Sequence, residues 1–286
     1  MVKQYGALYQ DTRRALLETE LPEDAGVLAR MLICHVSGKD HARFLADRDL
    51  YAGEAIVEGV ENGLKRLLSG EPIAYILGQW EFYGLPMTVT PDVLIPRMDT
   101  ELLVDTAKEM LTGRQMDARI LDLCCGSGCI TCAVGHELPA TRLVAVDISA
   151  SALEVCRKNI AANRLSSRVI CVQADATSSP PLSMGQFDMI ISNPPYIASD
   201  EIMTLDPSVR DFEPIWALDG GADGLKFYKA IIKYWKALLR SGGALLFEVG
   251  EGQAEPVKEM LLAGGFRSVS TRLDTLGVER VVVGIM

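Results

Sequence analysis

A short run of residues at the end of an apolar segment combines two hydrogen-bond acceptors with an aromatic ring. The run is Asn193-Pro194-Pro195-Tyr196, and it follows the buried strand that the pattern predicts at 187–191. The side-chain carbonyl of Asn193 and the backbone carbonyl of Pro194 can each accept one hydrogen of a planar NH₂ group while Tyr196 stacks on its face. Holding both hydrogens aims the nitrogen lone pair at an electrophile. The run therefore indicates chemistry on an amide or amine nitrogen, and the alternative is a simple turn after a proline-terminated strand.

A glycine-bearing loop follows the strand that we predict at 119–123. Gly126 and Gly128 let the backbone of this loop approach a ligand closely. Asp147 ends the next predicted strand, 21 residues after Gly126, where a carboxylate can accept hydrogen bonds from both hydroxyls of a ribose. The third glycine of a dinucleotide fingerprint would fall at Thr131. The pattern therefore favours an adenosyl ligand without phosphates over a dinucleotide.

The elements that position these residues alternate between helix and strand from about Thr100 onward. Such alternation predicts an α/β fold with a mostly parallel sheet and helices on both faces. Ligands of these sheets bind outside the carboxyl ends of the strands, where Asp147, Asp175 and the Asn193 run all lie. The predicted helices are 100–111, 129–138, 150–163 (with Ser149 as its N-cap), 225–239 and 253–263, and the predicted strands are 119–123, 143–146, 169–172, 187–191, 244–249 and a terminal pair within 267–284.

The first part of the chain has a different pattern, that of short amphipathic helices. One helix is predicted from Pro22-Glu23-Asp24 to a stop at Gly38, and another over 52–68 with a stop at Gly70. Helices of this length are not stable singly, so we expect a small bundle. Two short strands at 79–82 and 85–89, separated by Tyr83-Gly84, predict a hairpin. The predicted domains are a helical domain at 1–75, a β-hairpin linker at 76–98 and an α/β domain at 99–286.

Composition narrows the classes of partner. The 286 residues carry a formal net charge of −10 and contain no dense basic run, so direct binding to nucleic acid is not expected. No apolar stretch approaches the ~18 residues that would indicate a membrane span, and the N-terminus has no secretory apolar region. The seven cysteines are odd in number and fit reduced thiols. We therefore expect a cytoplasmic protein without a membrane partner.

Four of the cysteines crowd around the glycine loop and raise the question of a metal site. They straddle a strand-to-helix turn, and small thiols commonly fill cores. None of the three histidines lies near a motif, so general-base catalysis by histidine is not expected. We therefore predict that the cluster is reduced and free of metal. Its members are Cys124, Cys125, Cys129 and Cys132.

The glycine loop, Asp147 and the Asn193 run together resemble class I S-adenosylmethionine-dependent methyltransferases that act on amino nitrogens. Further strings resemble the protein-(glutamine) N-methyltransferase family of peptide-chain release factors, also known as PrmC or HemK. The resemblance extends from the helical N-terminal segment to the last strand. The strings are Phe82-Tyr83-Gly84-Leu85, Leu94-Ile95-Pro96-Arg97, Thr100-Glu101, Ser192-Asn193-Pro194-Pro195-Tyr196, Phe212-Glu213-Pro214, Ala217-Leu218, Gly220-Gly221-Ala222-Asp223-Gly224-Leu225, Glu248-Val249-Gly250 and Glu279-Arg280-Val281.

This resemblance implies a Rossmann-like methyltransferase domain preceded by a helical substrate-recognition domain and a hairpin linker. It implies methyl transfer from S-adenosylmethionine, leaving S-adenosylhomocysteine, to the glutamine side-chain amide in the Gly-Gly-Gln motif of class I release factors. The methylation tunes translation termination. Class I release factors are therefore the expected protein substrate.

The family's site residues carry over by position. Asp147 is expected on the ribose of the cofactor, Ala176 on its adenine and Asn193 beside its methionine part. The implied catalytic residues are Asn193, Pro194 and Tyr196, and Pro195 joins them in binding the substrate glutamine. The implied cofactor-binding residues are Cys124, Cys125, Gly126, Ser127, Gly128, Asp147, Asp175, Ala176 and Asn193.

Two positions depart from the family's pattern. The loop usually has glycine where this chain has Cys124, and proline is usual where Met98 follows Arg97. Cys124 adds a side chain near the cofactor, so we expect a changed affinity without loss of binding.

Three alternatives remain at this point. An adenine or cytosine amino-methyltransferase acting on nucleic acid could use the same pocket, although it would need a basic surface and a flipped base. A glutamine methyltransferase acting on a ribosomal protein would share the motif. A dehydrogenase or passive nucleotide-binding module is disfavoured by Thr131 in place of the third glycine.

Overall fold

The structure, a computed structural model, describes residues 2–18, 24–112 and 117–286. Two compact units make up the chain. The first comprises the described residues up to Gly78 together with Pro207–Phe212, and the second comprises Gln79–Asp206 with Glu213–Met286. In the described part of the chain, no helix is both long and apolar enough to cross a membrane.

The first unit is mainly helical, as the pattern predicts. The start predicted at Pro22-Glu23 lies outside the described residues, and the described α-helix begins at Ala25. The helix stops at Gly38, as predicted, where a φ of +66° gives a left-handed C-cap. Two residue pairs, Lys3–Gln4 and Tyr51–Ala52, add a short antiparallel bridge that the sequence did not predict. The helices are α1 (Tyr5–Leu17), α2 (Ala25–Ser37), α3 (His41–Ala46), α4 (Glu54–Leu68) and α5 (Ile73–Leu77), and the two strands are β1 (Lys3–Gln4) and β2 (Tyr51–Ala52).

Helices α2 and α4 approach each other closely because two glycines of α4 face side chains of α2. A Cβ at Gly63 would lie 2.4 Å from Leu32 Cδ1, and a Cβ at Gly59 would lie 2.6 Å from Val36 Cγ1. The buried core of this unit includes Leu8, Leu32, Ile33, Val57 and Val60.

The predicted hairpin opens the second unit. Strands β3 (Gln79–Phe82) and β4 (Leu85–Thr88) pair in antiparallel fashion, with Phe82 opposite Leu85. Tyr83 and Gly84 form the turn with φ values of +53° and +71°, the positive pair that a two-residue type I′ turn requires. The hairpin prediction is confirmed, whereas the domain limits at 75 and 98 stay predictions.

A seven-stranded, mostly parallel sheet organises the second unit, which confirms the predicted fold class. Its order is β10-β11-β9-β8-β5-β6-β7, and the last two strands of the chain pair antiparallel at one edge. The chain continues from β5 to β6 and β7 on one side and then crosses to β8 and β9 on the other, so the carboxyl end of β5 is the switch point where such sheets bind ligands. The strands are β5 (Arg119–Leu123), β6 (Arg142–Asp147), β7 (Val169–Gln173), β8 (Phe187–Ser192), β9 (Leu239–Glu248), β10 (Ser268–Leu273) and β11 (Glu279–Ile285).

Helices cover both faces of the sheet, so the central strands contribute to two cores. Ile120 of β5 packs on one face and its neighbour Leu121 on the other, as the strand period of two dictates. Ser149 caps its helix by accepting a hydrogen bond from the Ala152 amide at 3.2 Å, as predicted. The helices are α6 (Glu101–Leu111), α7 (Cys129–Glu137), α8 (Ala150–Ala162), α9 (Pro207–Arg210, part of the first unit), α10 (Lys226–Tyr234) and α11 (Ala254–Ala263).

The prediction was wrong between α10 and β9. The helix predicted over 225–239 ends at Tyr234, and β9 begins at Leu239 instead of at 244. Gly242 and Gly243 precede the predicted strand, yet they lie inside the observed one. Gly242 has a φ of +75°, and the register of β8 against β9 shifts between Phe187 and Met189, so a bulge accommodates the glycines.

Candidate active site at the carboxyl ends of the strands

A cavity of about 360 Å³ lies at the carboxyl ends of the central strands of the second unit, within the size range of small-molecule sites. It brings together residues that are far apart in the chain. Of the predicted site residues, those that line it are Cys124, Cys125, Gly126, Ser127, Asp147, Asp175, Ala176, Asn193 and Pro195. Gly128, Pro194 and Tyr196 are not part of the lining.

The loop after β5 is held in a conformation that needs positive φ at three positions. Gly126 (φ +52°) has nothing within 4 Å of a hypothetical Cβ, so its backbone faces open space on the ligand side. Gly128 (φ +76°) is needed for another reason, because a Cβ there would lie 2.5 Å from Cys156 Sγ. Gly128 thus lets α7 pack against α8, and its role in cofactor binding stays a prediction.

Cys124 also has a positive φ, of +60°, in the left-handed region that favours glycine. The family's usual glycine at this position therefore has a backbone reason. Burial, followed by the negative charge of Asp147, raises the pKa of the Cys124 thiol well above its usual range. Cys124 is thus an uncharged side chain on the cavity wall.

Asp147 occupies the end of β6 and connects two neighbouring loops. Its Oδ2 accepts a hydrogen bond from the Gly126 amide at 2.9 Å, and its Oδ1 accepts one from the Ser149 amide at 2.9 Å. Burial raises the pKa of Asp147, against the effect of these backbone hydrogen bonds. Each oxygen retains a further lone pair, so the carboxylate can accept the two hydroxyls of a ribose in the cavity.

The loop after β7 contributes a second acid and a small apolar residue. Asp175 would have a raised pKa from burial, but hydrogen bonds from Thr177 and Ser178 outweigh this and lower its pKa overall. The carbonyl of Ala176 accepts a hydrogen bond from Trp235 Nε1 at 3.0 Å, which fixes the loop against the core. Ala176 therefore presents a fixed apolar surface to the cavity, as an adenine ring requires.

Asn193 reaches the cavity from the end of β8. Its Nδ2 donates a hydrogen bond to Thr100 Oγ1 at 3.1 Å. Oδ1 is the other end of the planar amide, so it is the atom left to accept a hydrogen bond from a ligand. The neighbouring Ser192 hydroxyl donates to the Leu123 carbonyl at 2.8 Å, which ties the end of β8 to the end of β5.

Tyr196 packs closely against Gly220 and Gly224, where any side chain would collide with the Tyr196 backbone. A Cβ at Gly224 would lie 2.4 Å from the Tyr196 carbonyl oxygen, and one at Gly220 would lie 2.8 Å from its Cα. Gln253 donates from Nε2 to that same carbonyl at 2.9 Å and accepts from the Gly250 amide at 3.0 Å. Burial raises the pKa of the Tyr196 phenol to about 12, so it is uncharged at physiological pH and is no base.

Several lining residues were missed by motif reasoning. Arg97 lines the cavity and forms an ion pair with Glu213, whose Oε2 also accepts a hydrogen bond from the Ile95 amide at 3.1 Å. This ion pair brings the strings around Arg97 and Glu213 together in space, although 116 residues separate them. A position directly after a strand end could have signalled Ile148 and Ala174, but nothing local signals the others. The remaining missed residues include Asp92, Val93, Ile130, Ala152, Trp216, Asp219, Lys226 and Phe227.

The residues that line the cavity fit an adenosyl ligand better than a dinucleotide. The first turn of α7 would be the place for a pyrophosphate. There the Thr131 amide donates to the buried Asp122 carboxylate at 3.1 Å, so this amide is already committed to the protein. The carboxylate of Asp147, the fixed surface at Ala176 and the amide oxygen of Asn193 suit a ribose, an adenine and a reacting nitrogen.

The cysteine cluster is buried around the same loop. Burial, followed by the charge of Asp122, raises the pKa of the Cys129 and Cys132 thiols, that of Cys132 to about 12. Protonated thiols are poor metal ligands. Across residues 2–18, 24–112 and 117–286, no group of three or more His, Cys, Asp or Glu side chains is placed to hold a metal ion.

Freedom from metal stays a prediction. We expect purified protein, prepared without added metal, to contain no stoichiometric zinc or iron, because the thiols are protonated and packed in the core. Elemental analysis checks this, and one equivalent of either metal would contradict it.

Two family profiles match most of this chain. The Methyltransferase small domain matches residues 98–205, and the PrmC N-terminal domain matches residues 7–78. The first contains the loop, Asp147 and Asn193, and the second lies within the helical unit.

Curated relatives match over nearly their whole length. The release factor glutamine methyltransferase of Geobacter sulfurreducens is 38% identical over 96% of this chain and 94% of its own. The protein of the same name from Bordetella pertussis is 42% identical over 90% of this chain and 94% of its own. That of Bradyrhizobium diazoefficiens is 36% identical over 97% and 94%, respectively.

Solved structures share the fold at lower identity. The hMettl16 catalytic domain in complex with a MAT2A 3′UTR hairpin has a TM-score of 0.57 at 22% identity, covering 72% of this chain and 78% of that one. A human methyltransferase 10 domain containing protein has a TM-score of 0.51 at 21% identity, covering 71% and 90%. These two likenesses support the methyltransferase fold.

Proposed function

The chain belongs to the release factor glutamine methyltransferase family, and we propose on this premise that it methylates the glutamine of the Gly-Gly-Gln motif in class I peptide-chain release factors. The methyl acceptor is the side-chain amide nitrogen. The methyl donor is S-adenosylmethionine, which the methyltransferase family and fold imply, and S-adenosylhomocysteine is the product. The reaction needs no metal, and we place it in the cytoplasm, where release factors act.

One observation carries the proposal: Asn193 and Asp147 line the same cavity, on opposite sides of β5. An acceptor for an amide hydrogen and a carboxylate for a ribose therefore share one small space. S-adenosylmethionine, when bound, supplies a methyl group on a positively charged sulfur. The residues at the end of β8 orient the nitrogen that receives it.

The protein's part in the reaction is to hold the amide. Asn193 Oδ1 and the Pro194 carbonyl each accept one hydrogen of the glutamine NH₂, and Tyr196 stacks on the amide plane. Rotation of the amide is thereby restricted, and the nitrogen lone pair points toward the electrophile. The nitrogen gains positive charge as the new bond forms, so both acceptors bind the transition state more strongly than the ground state.

Labelled methyl transfer tests the proposed function. The protein, incubated with methyl-labelled S-adenosylmethionine and a purified class I release factor, should transfer label to that factor. A release factor with alanine in place of the motif glutamine is the matched control and should stay unlabelled. Equal labelling of both proteins would contradict the proposal, and labelling of a ribosomal protein or a nucleic acid instead would favour one of the alternative substrates.

The helical unit is proposed to recognise the body of the release factor. All residues that line the cavity belong to the other unit, and the PrmC N-terminal domain profile covers residues 7–78. Because binding of remote parts of a substrate is used to accelerate its reaction, we expect a short Gly-Gly-Gln peptide to have a far lower kcat/KM than the intact factor. Steady-state kinetics on the two substrates measure this difference. Equal kcat/KM values would mean that the helical unit does not recognise the release factor.

A further inference from the structure

A buried carboxylate lies directly behind the proposed acceptor. Glu248 ends β9, and only 3% of it is exposed. In the pairing of β8 with β9, Ser192 is opposite Phe247, so Asn193 and Glu248 follow side by side at the carboxyl edge of the sheet. Among the described residues, Glu248 Oε2 has no hydrogen-bond partner. A buried carboxyl oxygen without a hydrogen-bond partner destabilises the folded protein, so its presence calls for a functional explanation.

Two neighbouring side chains connect Glu248 to the cavity. The side chains of Thr100 and Asn193 each lower the pKa of the Glu248 carboxyl group by favouring its ionised form, and Asn193 Nδ2 donates to Thr100 Oγ1 at 3.1 Å. Thr100 stands at the N-cap of α6, where a threonine ordinarily accepts a hydrogen bond from its own helix. Here its side chain makes no capping bond, so the hydroxyl is free to accept from Asn193 and to donate to Glu248.

The direction of these hydrogen bonds follows from the chemistry of the groups. An ionised carboxylate only accepts, so Thr100 must donate its single hydroxyl hydrogen to Glu248. The Thr100 oxygen can then accept, and the Asn193 NH₂ group supplies the hydrogen. The Asn193 amide is thereby fixed with its NH₂ toward the protein, which leaves Oδ1 as the acceptor for a ligand. With a hydrogen-bond donor in place of Glu248, the same chain of bonds could run in the opposite sense.

We propose that Glu248 is a positioning residue for methyl transfer: through Thr100, it fixes which end of the Asn193 amide is available to the substrate. This inference rests on the proposed function, since it concerns the acceptor for the glutamine amide. Glu248 itself is not among the residues that line the cavity. A reversed Asn193 would offer hydrogens to an NH₂ group that needs an acceptor.

The pH dependence follows from the surroundings of Glu248. Burial, above all, raises its pKa to about 7; hydrogen bonds from Thr100 and Asn193 and the charge of Arg280 lower it, while Asp99 raises it. The charge of Glu248 also acts on the phenols of Tyr196 and Tyr228, whose pKa values are raised mainly by burial. As the pH falls through about 7, the carboxyl becomes protonated and can donate. The hydrogen bonds that connect Asn193, Thr100 and Glu248 can then run in either direction, so kcat should fall.

Three variants test the proposal in the full-length protein. Glu248→Gln keeps the shape but adds donors, and we expect kcat to fall about 10-fold or more, the size of one misplaced hydrogen bond, with the pH dependence near 7 abolished. Thr100→Val removes the hydroxyl and should lower kcat similarly, whereas Thr100→Ser keeps it and should retain most of the rate. The affinity for S-adenosylmethionine, measured by calorimetry, should change less than kcat in all three.

Urea unfolding supplies a readout that does not depend on activity. The folded pKa of Glu248 is raised above that of an unfolded glutamate, so its stabilising contribution is complete below pH ~4.5 and is lost as the pH rises toward ~7. Glu248→Gln should flatten this decline. Asp122, another buried acid whose pKa burial raises to about 7, gives the matched control: Asp122→Asn should also flatten the decline but should leave the pH dependence of kcat in place.

The outcomes separate this inference from the proposed function. Wild-type rates and wild-type pH profiles in both Glu248→Gln and Thr100→Val would overturn the positioning role while methylation of the release factor stood. Loss of the pH profile in Asp122→Asn as well would also overturn it, because the effect would then belong to buried charge in general. Absence of methyl transfer by the wild-type protein would instead contradict the proposed function.

Discussion

Asn193→Ala should lower the single-turnover rate of methyl transfer by at least ~10²-fold, comparable to the loss of one donor from an oxyanion hole. Of the two acceptors proposed for the glutamine NH₂, Asn193 supplies the one that a substitution can delete, because Pro194 contributes through its backbone. Binding of S-adenosylmethionine should fall less, since the loop at 124–128 and Asp147 are untouched. Kinetics at saturating cofactor separate the loss in chemistry from any loss in binding.

Asn193→Asp is the matched comparison. It keeps an acceptor at the same place, so we expect partial activity. A carboxylate there cannot donate to Thr100, and it adds a second acid next to Glu248. Near-normal turnover by Asn193→Ala would mean that the run is only a turn after a proline-terminated strand.

The second large effect is expected on cofactor affinity. Asp147→Ala should weaken the binding of S-adenosylmethionine by about 1.5–3 kcal/mol, the range for hydrogen bonds to a charged group, which is roughly 10- to 100-fold in the dissociation constant. The mutation removes the ribose acceptor and also the partner of the Gly126 and Ser149 amides. Isothermal titration calorimetry measures the affinity directly.

Asp147→Asn is the control for the loss of the hydrogen bonds that Asp147 accepts from the Gly126 and Ser149 amides. Its amide keeps one carbonyl acceptor for a backbone N–H, so we expect a smaller loss than with alanine. Unchanged affinity in Asp147→Ala would remove this residue from the cofactor site.

Local signals were sufficient for much of the fold. The Tyr83-Gly84 turn, the Ser149 cap and the strand before Asn193 each depend on a few adjacent residues, and the structure has them where the sequence predicts them. The predicted strand at 244–249 leaves out Gly242 and Gly243, a pair of the kind that normally marks a loop. Backbone hydrogen bonds with Met286 hold these glycines in β9, and this tertiary effect has no local signature.

The site was predictable only in part for the same reason. Asp147 and Asn193 could be placed because each ends a strand, and the carboxyl ends of parallel strands meet at one edge. By contrast, Thr100 lies 93 residues before Asn193, and their hydrogen bond is visible only in three dimensions. Gly128 has a structural reason that its sequence context does not reveal, because a Cβ there would lie 2.5 Å from Cys156 Sγ, while its role in cofactor binding stays a prediction.

The central claim is tested most directly by locating the transferred methyl group. After reaction with S-adenosylmethionine and a class I release factor, peptide mass mapping should find one added methyl group, about 14 Da, on the peptide that contains Gly-Gly-Gln. Fragment ions should assign it to the glutamine, and acid hydrolysis should release it as methylamine, since the nitrogen is part of an amide. This account predicts that result because Asn193 and Pro194 bind an NH₂ group. A methyl group on another residue, or one released as methanol from an ester, would contradict it.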